Sequence, residues 1–211
     1  ELGGAANYSL RETLIANNGG WGVGPFWGPA KTHYSHLARD VPDSPLFYMD
    51  LQNSEVLNNG EGGVEAAFGA MDLANVSILD NGGPGIRYLS GLSNGILSFV
   101  SVTIAGNRGD GMLLARCVGT GARLAIAGND NLGINLGEDA ALNLACTDIY
   151  GNRSGDWIGA LAPQLGIDGN MNVDPLFCDA PAGDYTLKEN SPLAAENNPG
   201  CGTIGRYEAA C

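Results

Sequence analysis

The residues best suited to chemistry in this chain lie in an aromatic segment between positions 21 and 36. The segment supplies Trp21, Phe26, Trp27, His33, Tyr34 and His36. Aromatic rings stack on the apolar faces of sugars, and a neighbouring histidine can act as an acid or a base. Two histidines three residues apart are too few ligands for zinc. We expect this segment to pack against the rest of the chain or a neighbouring subunit, with glycan contact and catalysis as alternatives.

A second group consists of oxygen-bearing side chains at alternate positions. These are Asp168, Asn170, Asn172 and Asp174. Oxygen ligands at this spacing suit Ca²⁺, but Val173 occupies the place where a calcium loop needs glycine. Asp174 also opens the sequence Asp-Pro-Leu-Phe, where we expect it to cap a turn. The expectation is that the protein has no cofactor, with calcium at this group as the alternative.

The elements that position these residues follow from a repeat. Asparagines recur at intervals of 41, 22, 26, 22 and 23 residues, at Asn18, Asn59, Asn81, Asn107, Asn129 and Asn152. A glycine follows four residues after each of the first five, and Asp156 takes that place after the sixth. A period of about 22 residues, with one double interval, is typical of units that stack on one another.

Each unit contains short β-type runs such as Val76–Leu79 and Val102–Ile104, bounded by glycine and asparagine. No stretch has the apolar periodicity of a long helix, so the sequence predicts a parallel β-solenoid. Asparagine tolerates the left-handed backbone of sharp corners. Stacked about 4.8 Å apart, buried asparagine amides can bond to their equivalents in adjacent coils. We therefore predict that the six asparagines form a structural ladder.

From Ala145 onward the chain resembles secreted bacterial right-handed parallel β-helix proteins, which share the fold of pectate lyases. The resemblance rests on Tyr-Gly-Asn (150–152), Gly-Asp-Trp (155–157), Asp-Pro-Leu-Phe (174–177), Ser-Pro (191–192) and a terminal Cys-Gly-x-Ile-Gly…Cys (201–211). It implies an all-β right-handed parallel β-helix of roughly seven coils in an exported protein. It does not imply a reaction, because this fold hosts lyases, hydrolases, adhesins and inert scaffolds.

Enzymes of this fold place a basic residue beside calcium-binding carboxylates, or cluster several aspartates on consecutive coils. Here the aspartates near the asparagine column, at 80, 110, 130 and 156, fall at different positions in the repeat. The arginines are scattered as well. The sequence therefore assigns no catalytic residue and disfavours an enzyme.

The chain divides into a β-helix at 1–175, with an irregular coil and aromatic loop at 23–48, and a C-terminal cap at 176–211. Five cysteines suit an oxidising compartment and leave one unpaired. Cys201 and Cys211 flank a short glycine-containing loop, so we predict a disulfide between them. Cys146–Cys178 is a second candidate pair, and Cys117 is then a spare thiol buried as a small apolar residue.

A net charge of −13 and a pI near 4.3 disfavour nucleic-acid binding and anionic membrane surfaces. The sequence has no apolar run long enough to span a membrane. The chain begins at Glu1, so either a signal peptide has been removed or the chain is a piece of a longer protein. We expect an extracellular or cell-surface location.

The expected function is structural or adhesive. Only seven residues precede the first strand, near 8–15, and those at 3–6 are too small to shield an edge. This favours end-to-end self-association or a missing preceding coil. Expected partners are copies of this chain or other surface proteins, and carbohydrate. The alternative is a polysaccharide-active lyase or hydrolase, or a glycan-binding module.

Overall fold

The computed structural model describes residues 7–24, 48–67, 69–89 and 95–211. Within them the chain forms a parallel β-solenoid of about four turns, which confirms the predicted all-β solenoid. Of the aromatic segment only Trp21 falls inside the described ranges, and the other five side chains lie outside them.

The strands are short at both ends of the solenoid and long in the middle. The first coil holds β1 (Asn7–Arg11), β2 (Leu14–Ala16) and β3 (Trp21–Val23). The regular turns each have a long and a short strand: β4 (Tyr48–Leu57) and β5 (Gly62–Ala66), β6 (Ala70–Leu79) and β7 (Ile86–Leu89), β8 (Gly95–Ala105) and β9 (Met112–Ala115), β10 (Cys117–Ala127) and β11 (Ile134–Leu136). The last coil begins with β12 (Ala140–Ala145) and β13 (Asp148–Tyr150).

The long strands stack in the order β1-β4-β6-β8-β10-β12, and the short ones in the order β11-β9-β7-β5-β3. All these neighbours are parallel, and equivalent residues lie in register along the axis. One inward column, for example, consists of Val56, Ile78, Ile104, Ile126 and Ile149. The repeated β-branched side chains fill the core because each unit places the same residue type at the same depth.

Each long strand bends in its middle. The residues at the bend have a positive φ of 49–55° although none is glycine: Asn53, Asn75, Ser101 and Arg123. The bend divides the long strands into two halves. We call residues 48–52, 70–74, 95–100 and 117–122 the free half, and residues 54–57, 76–79, 102–105 and 124–127 the covered half.

The main core lies inside the coils and continues from Met49 to Leu161. Tyr88 and Phe99 are its bulkiest fully buried side chains. At its C-terminal end Trp157 and Leu161, the latter in a 3₁₀-helix at Gly159–Gln164, pack against the last coil. Gln164 bonds to β12 through both groups of its amide, to Leu142 O and from Leu144 N–H. Residues 157–164 therefore cover this end of the core.

Residues 173–211, which we call the strap, run back along the outside of the covered half. The strap contains β14 (Phe177–Asp179), a 3₁₀-turn at Ala180–Ala182 and β15 (Asp184–Leu187), which pairs antiparallel with β14. The predicted cap at 176–211 is thus part of a segment that lies on the flank of the solenoid.

Arg206 shows how the strap is held. Its backbone N–H donates to Thr103 Oγ1 at 2.9 Å, and its guanidinium donates to Ser77 Oγ at 2.8 Å. The guanidinium also pairs with Glu55 at 2.9 Å. One strap residue therefore bridges three successive turns.

The disulfides correct the sequence prediction. Cys146 pairs with Cys201 and Cys178 pairs with Cys211, with Cα–Cα distances of 5.5 and 6.1 Å. The predicted Cys201–Cys211 bond is wrong, and so is the candidate Cys146–Cys178 pair. The return of the strap brings Cys201 back to the last coil, while Cys211 ends beside β14. Cys117 is free and buried, as expected.

Candidate functional site

The asparagine ladder runs through the corner that follows each covered half. Each Nδ2 donates to the Oδ1 of the next asparagine, at 2.8–3.0 Å, from Asn18 to Asn152. The backbone N–H of each asparagine donates to the same oxygen. From Asn59 to Asn152 the ladder residues are buried. The predicted ladder is present, and it is a structural element that fixes the corner.

The prediction that the ladder asparagines themselves adopt the left-handed backbone of the corner is wrong. None of them has a positive φ; the left-handed residue is the one before each, at Asn17, Asn58, Asp80, Gly106, Gly128 and Gly151. The left-handed residue makes the turn, and the asparagine that follows directs its amide inward to the ladder. We call Asn58, Asp80, Gly106, Gly128 and Gly151 the corner column.

Asp156 ends the ladder. Its Oδ1 accepts both the backbone N–H of Asn152, at 2.9 Å, and its Nδ2, at 2.8 Å. Asp156 thus occupies the place that another asparagine oxygen would take. A carboxylate is a stronger acceptor than an amide, so it suits the last position of a chain of aligned amides.

A groove of about 690 Å³ runs along the corner column. Its floor is formed by the five residues of that column, and its wall is formed by the strap, from Asp174 to Tyr185. Three aromatic residues, Tyr150, Phe177 and Tyr185, line it. We call it the corner groove. The column fixes the floor, while the disulfide from Cys178 to Cys211 holds the β14 side of the strap.

The wall is connected to the floor by a hydrogen bond. The hydroxyl of Tyr185 donates to Asp80 Oδ1 at 2.6 Å. Burial and the neighbouring Asp80 carboxylate both raise the pKa of Tyr185, so this hydroxyl stays protonated and remains a donor. Phe177 packs edge-on against Tyr185, with ring centroids 5.2 Å apart. The aromatic wall is therefore held in one arrangement.

The groove presents hydrogen-bond acceptors. Within the described ranges, no protein donor reaches the backbone carbonyl oxygen of any of the five corner-column residues. Asp80 and Asp174 add carboxylates to the lining. At Gly128 and Gly151 no atom lies within 4 Å of the position that a Cβ would take, so the floor is open there.

The other predicted site residues serve different purposes. Trp21, in β3, is partly buried and its ring lies directly against Gly62. This contact agrees with packing for that one residue. The remaining members of the aromatic segment, Phe26, Trp27, His33, Tyr34 and His36, lie outside the described residues, so their roles stay predictions.

Three of the four calcium candidates form structural hydrogen bonds through their side chains. Asn170 donates to Leu144 O and accepts from Thr147 N–H, and Asn172 donates to Ile149 O at 2.6 Å. Asp174 caps a turn through Leu176 N–H, as expected. Among the described residues no group of three or more His, Cys, Asp or Glu side chains is placed to hold a metal ion.

The aspartates near the ladder do not converge on one centre. Asp80 lines the corner groove, whereas Asp110 accepts from Leu132 N–H and Asn135 Nδ2. Asp156 ends the ladder and Asp130 is exposed. Sequence comparison between coils missed Asp80 as a groove residue because its role depends on the strap, which arrives from a distant part of the chain.

Asp148 is a further residue that the sequence did not single out. It is fully buried where the last coil meets the strap, and its Oδ1 accepts from Val173 N–H at 2.9 Å. Its other oxygen has no hydrogen-bond partner among the described residues. Burial, and to a lesser extent the charges of Asp156 and Asp174, raises the pKa of Asp148 to about 7.

Comparison with known proteins gives no match to a family model, a curated protein or a solved structure. In the described part of the chain, no helix has the length and apolar character needed to cross a membrane. The fold and the groove define the class: an acidic, disulfide-bonded parallel β-solenoid with an acceptor-rich groove on its flank.

Proposed function

We propose that this chain is an extracellular structural or adhesive protein, a right-handed parallel β-helix of roughly seven coils that binds a surface polymer through its corner groove. The observation that supports this most is the construction of the groove. Its floor is a column of stacked corners, and its wall is cross-linked internally by the Cys178–Cys211 disulfide and hydrogen-bonded to the floor through Tyr185 and Asp80. A ligand would therefore meet a site that is already formed. Preorganisation of this kind reduces the entropy cost of binding.

Two further observations support an extracellular location. Disulfides persist in oxidising compartments, and this chain has two of them holding the strap. The strongly acidic surface keeps such a protein soluble and discourages attachment to anionic surfaces. An adhesive role then requires a neutral or cationic partner.

The test is a binding assay on immobilised polysaccharides and whole cell envelopes. We expect the purified protein to bind at least one such polymer. Gly128→Asn should abolish binding, because asparagine tolerates the φ of +62° there and places a side chain into the open groove. Asp130→Asn changes an exposed residue outside the groove and serves as the control. No binding to any surface, or full binding by Gly128→Asn, would refute the proposal.

The runner-up is a polysaccharide-active enzyme, and the carboxylates of Asp80 and Asp174 in one groove are the observation that favours it. Glycoside hydrolysis uses paired carboxylates as acid and as base or nucleophile. New reducing ends or unsaturated products from a polysaccharide, lost in Asp80→Asn, would establish this reading. Polymer binding without product formation would support the adhesive one.

End-to-end self-association is a second part of the proposal, and Asn18 favours it. Asn18 donates to Asn59, but no donor among the described residues reaches its own Oδ1. In the described sheets, β1 is the terminal strand of its stack. Another coil, supplied by a second copy, would continue both the ladder and the sheet. Light scattering over a hundredfold range of concentration tests this, and a monomer throughout would refute it.

A further inference from the structure

We propose that the corner groove binds a linear oligosaccharide that carries ammonium groups, such as a β-1,4-linked chain of glucosamine. This inference rests on the proposed adhesive function and names the chemical class of its ligand. Four features of the groove support it: the one-sided hydrogen-bonding character of its lining, the local charge, the aromatic wall and the repeat distance of the floor.

The groove lining consists mainly of hydrogen-bond acceptors, so it suits a ligand that carries donors. The backbone carbonyl oxygens of the corner column have no donor within the described ranges, and the side chains of Asp80 and Asp174 are acceptors when ionised. The hydroxyl of Tyr185 is a donor, but its hydrogen bond is already made to Asp80. A ligand rich in ammonium and hydroxyl donors satisfies such a surface. A uronate chain would bring further carboxylates to it.

Charge selects the same partner. Among the described residues that line the groove there is no lysine or arginine. The chain as a whole carries a net charge of −13, so its field attracts cations and repels acidic polymers. An ammonium group close to Asp80 gains Coulombic attraction, and one close to the partly exposed ring of Tyr150 gains cation–π attraction.

The shape of the groove favours a sugar chain over a free amine. Two partly exposed aromatic rings, Tyr150 beside the floor and Phe177 in the wall, offer apolar surface for pyranose rings, while Tyr185 is buried. The corner column repeats at the spacing of stacked strands, roughly 4.8 Å. An extended β-1,4-linked chain repeats at a similar distance, so successive sugars can meet equivalent floor positions. A groove of about 690 Å³ has room for a short oligomer.

The experiment is a titration of the intact protein with three tetramers of equal length: glucosamine, N-acetylglucosamine and galacturonate. Calorimetry measures the affinities, and ¹⁵N NMR locates the contact. We expect the glucosamine tetramer to bind at least tenfold more tightly than its N-acetylated form, and the galacturonate tetramer not to bind. The amides of Gly106, Gly128 and Gly151 should shift most. The affinity should fall as salt is added, because screening weakens ion pairing.

Asp80→Asn is the decisive variant. It removes the charge but keeps the acceptor for Tyr185, and the equivalent corner of the preceding turn already carries Asn58. We expect at least a tenfold loss of affinity for the glucosamine tetramer with an unchanged fold. Asp130→Asn, which removes an exposed charge outside the groove, should bind like the unmodified protein.

The outcomes separate this inference from the function on which it rests. Equal binding of the N-acetylated tetramer, or an unchanged affinity in Asp80→Asn, overturns the ammonium assignment while leaving the groove as a polymer site. Chemical shifts that avoid the corner column with every tetramer overturn the ammonium inference as well. If the protein also fails to bind any immobilised polymer, the proposed adhesive function is refuted as well.

Discussion

The two halves of the long strands share one sheet and one register, yet their outer surfaces differ completely. On the free half the outward residues Ile96 and Val118 are 63% and 45% exposed. On the covered half the outward residues Thr103 and Ala125 are each 1% exposed, because the strap lies on them. The same backbone ladder thus supports a single layer on one side of the bend and two layers on the other.

The side chains explain which half receives the strap. Outward positions of the covered half are mostly small, as at Ser77, Ala105 and Ala127. Small residues let a second segment approach closely, and Leu187, Leu193 and Ile204 of the strap then form a second core against Ala125. Tight packing of this kind tolerates little change in volume. The covered half should therefore be sensitive to substitutions that the free half accepts.

Removing the Cys146–Cys201 disulfide should have the largest effect, because this bond joins the strap to the last coil. The bond closes a segment of 55 residues. In the chain-entropy model its loss costs about 4 kcal/mol. We expect the double variant Cys146→Ser/Cys201→Ser to lose that stability in denaturant unfolding. Hydrogen exchange should accelerate mainly in the strap and the covered half; equal acceleration in both halves would contradict the comparison.

Asp148, which bonds to Val173 of the strap, should make the stability of the folded protein depend on pH. Its pKa in the folded protein is about 7, above its ordinary value of 3.8. Between these values the folded state keeps a proton that the unfolded state releases. The stability that Asp148 contributes is therefore fully present below about pH 4 and is lost as the pH rises to about 7. A pKa shift of this size corresponds to about 4 kcal/mol.

Asp148→Asn should remove this pH dependence, since asparagine keeps the acceptor for Val173 and cannot ionise. Thermal unfolding at several pH values between 4 and 8 measures the effect, with Asp130→Asn as the exposed control. Parallel curves for the Asp148→Asn variant and the unmodified protein would show that Asp148 does not carry it.

The ladder borders the covered half, so Asn107→Ala should cost about 1–3 kcal/mol by leaving neighbouring amides unpaired. Asn107 donates to Asn129 and accepts from Asn81 at 2.9–3.0 Å. Asn143→Ala is the matched control, because Asn143 lies exposed on β12. That change should stay within about 0.5 kcal/mol. Equal costs in denaturant unfolding would remove the special role of the ladder.

Overpacking the covered half should have the smallest of these effects on stability. Ala125→Leu adds volume beneath the strap, and we expect a loss of about 1–2 kcal/mol as the strap shifts. Thr120→Leu, an exposed position on the same strand before the bend, should leave stability nearly unchanged. If both variants unfold at the same denaturant concentration, the strap does not pack as closely as described.

The repeat could be predicted because its signals are local and recur. Asparagine and glycine columns identify the stacking, and the ladder follows from burying identical amides one above another. The residue before each asparagine, glycine at 106, 128 and 151, was also a readable sign of the left-handed corner. It was missed because asparagine itself is a good candidate for that backbone.

The strap and the groove could not be predicted in the same way. Their contacts join residues that are far apart in sequence: Arg206 and Ser54, for example, are 152 positions apart. Pairing Cys201 with Cys211 followed from their nearness in sequence, which a returning segment overrides. The one local sign was the pair of runs Val102–Ala105 and Leu124–Ala127, which carry no charge on either face. Strands buried on both sides have this composition.

The direction of the strap has a consequence for how the protein is made. Tyr207, close to the end of the chain, bonds to Glu55 and Ser77 in two of the earliest turns. As the chain is synthesised, those turns can stack long before their covering segment exists. Their flank therefore stays uncovered until the strap has been synthesised. The second core and both disulfides can form only after the strap has been made, so oxidation reports that the strap has docked on the solenoid.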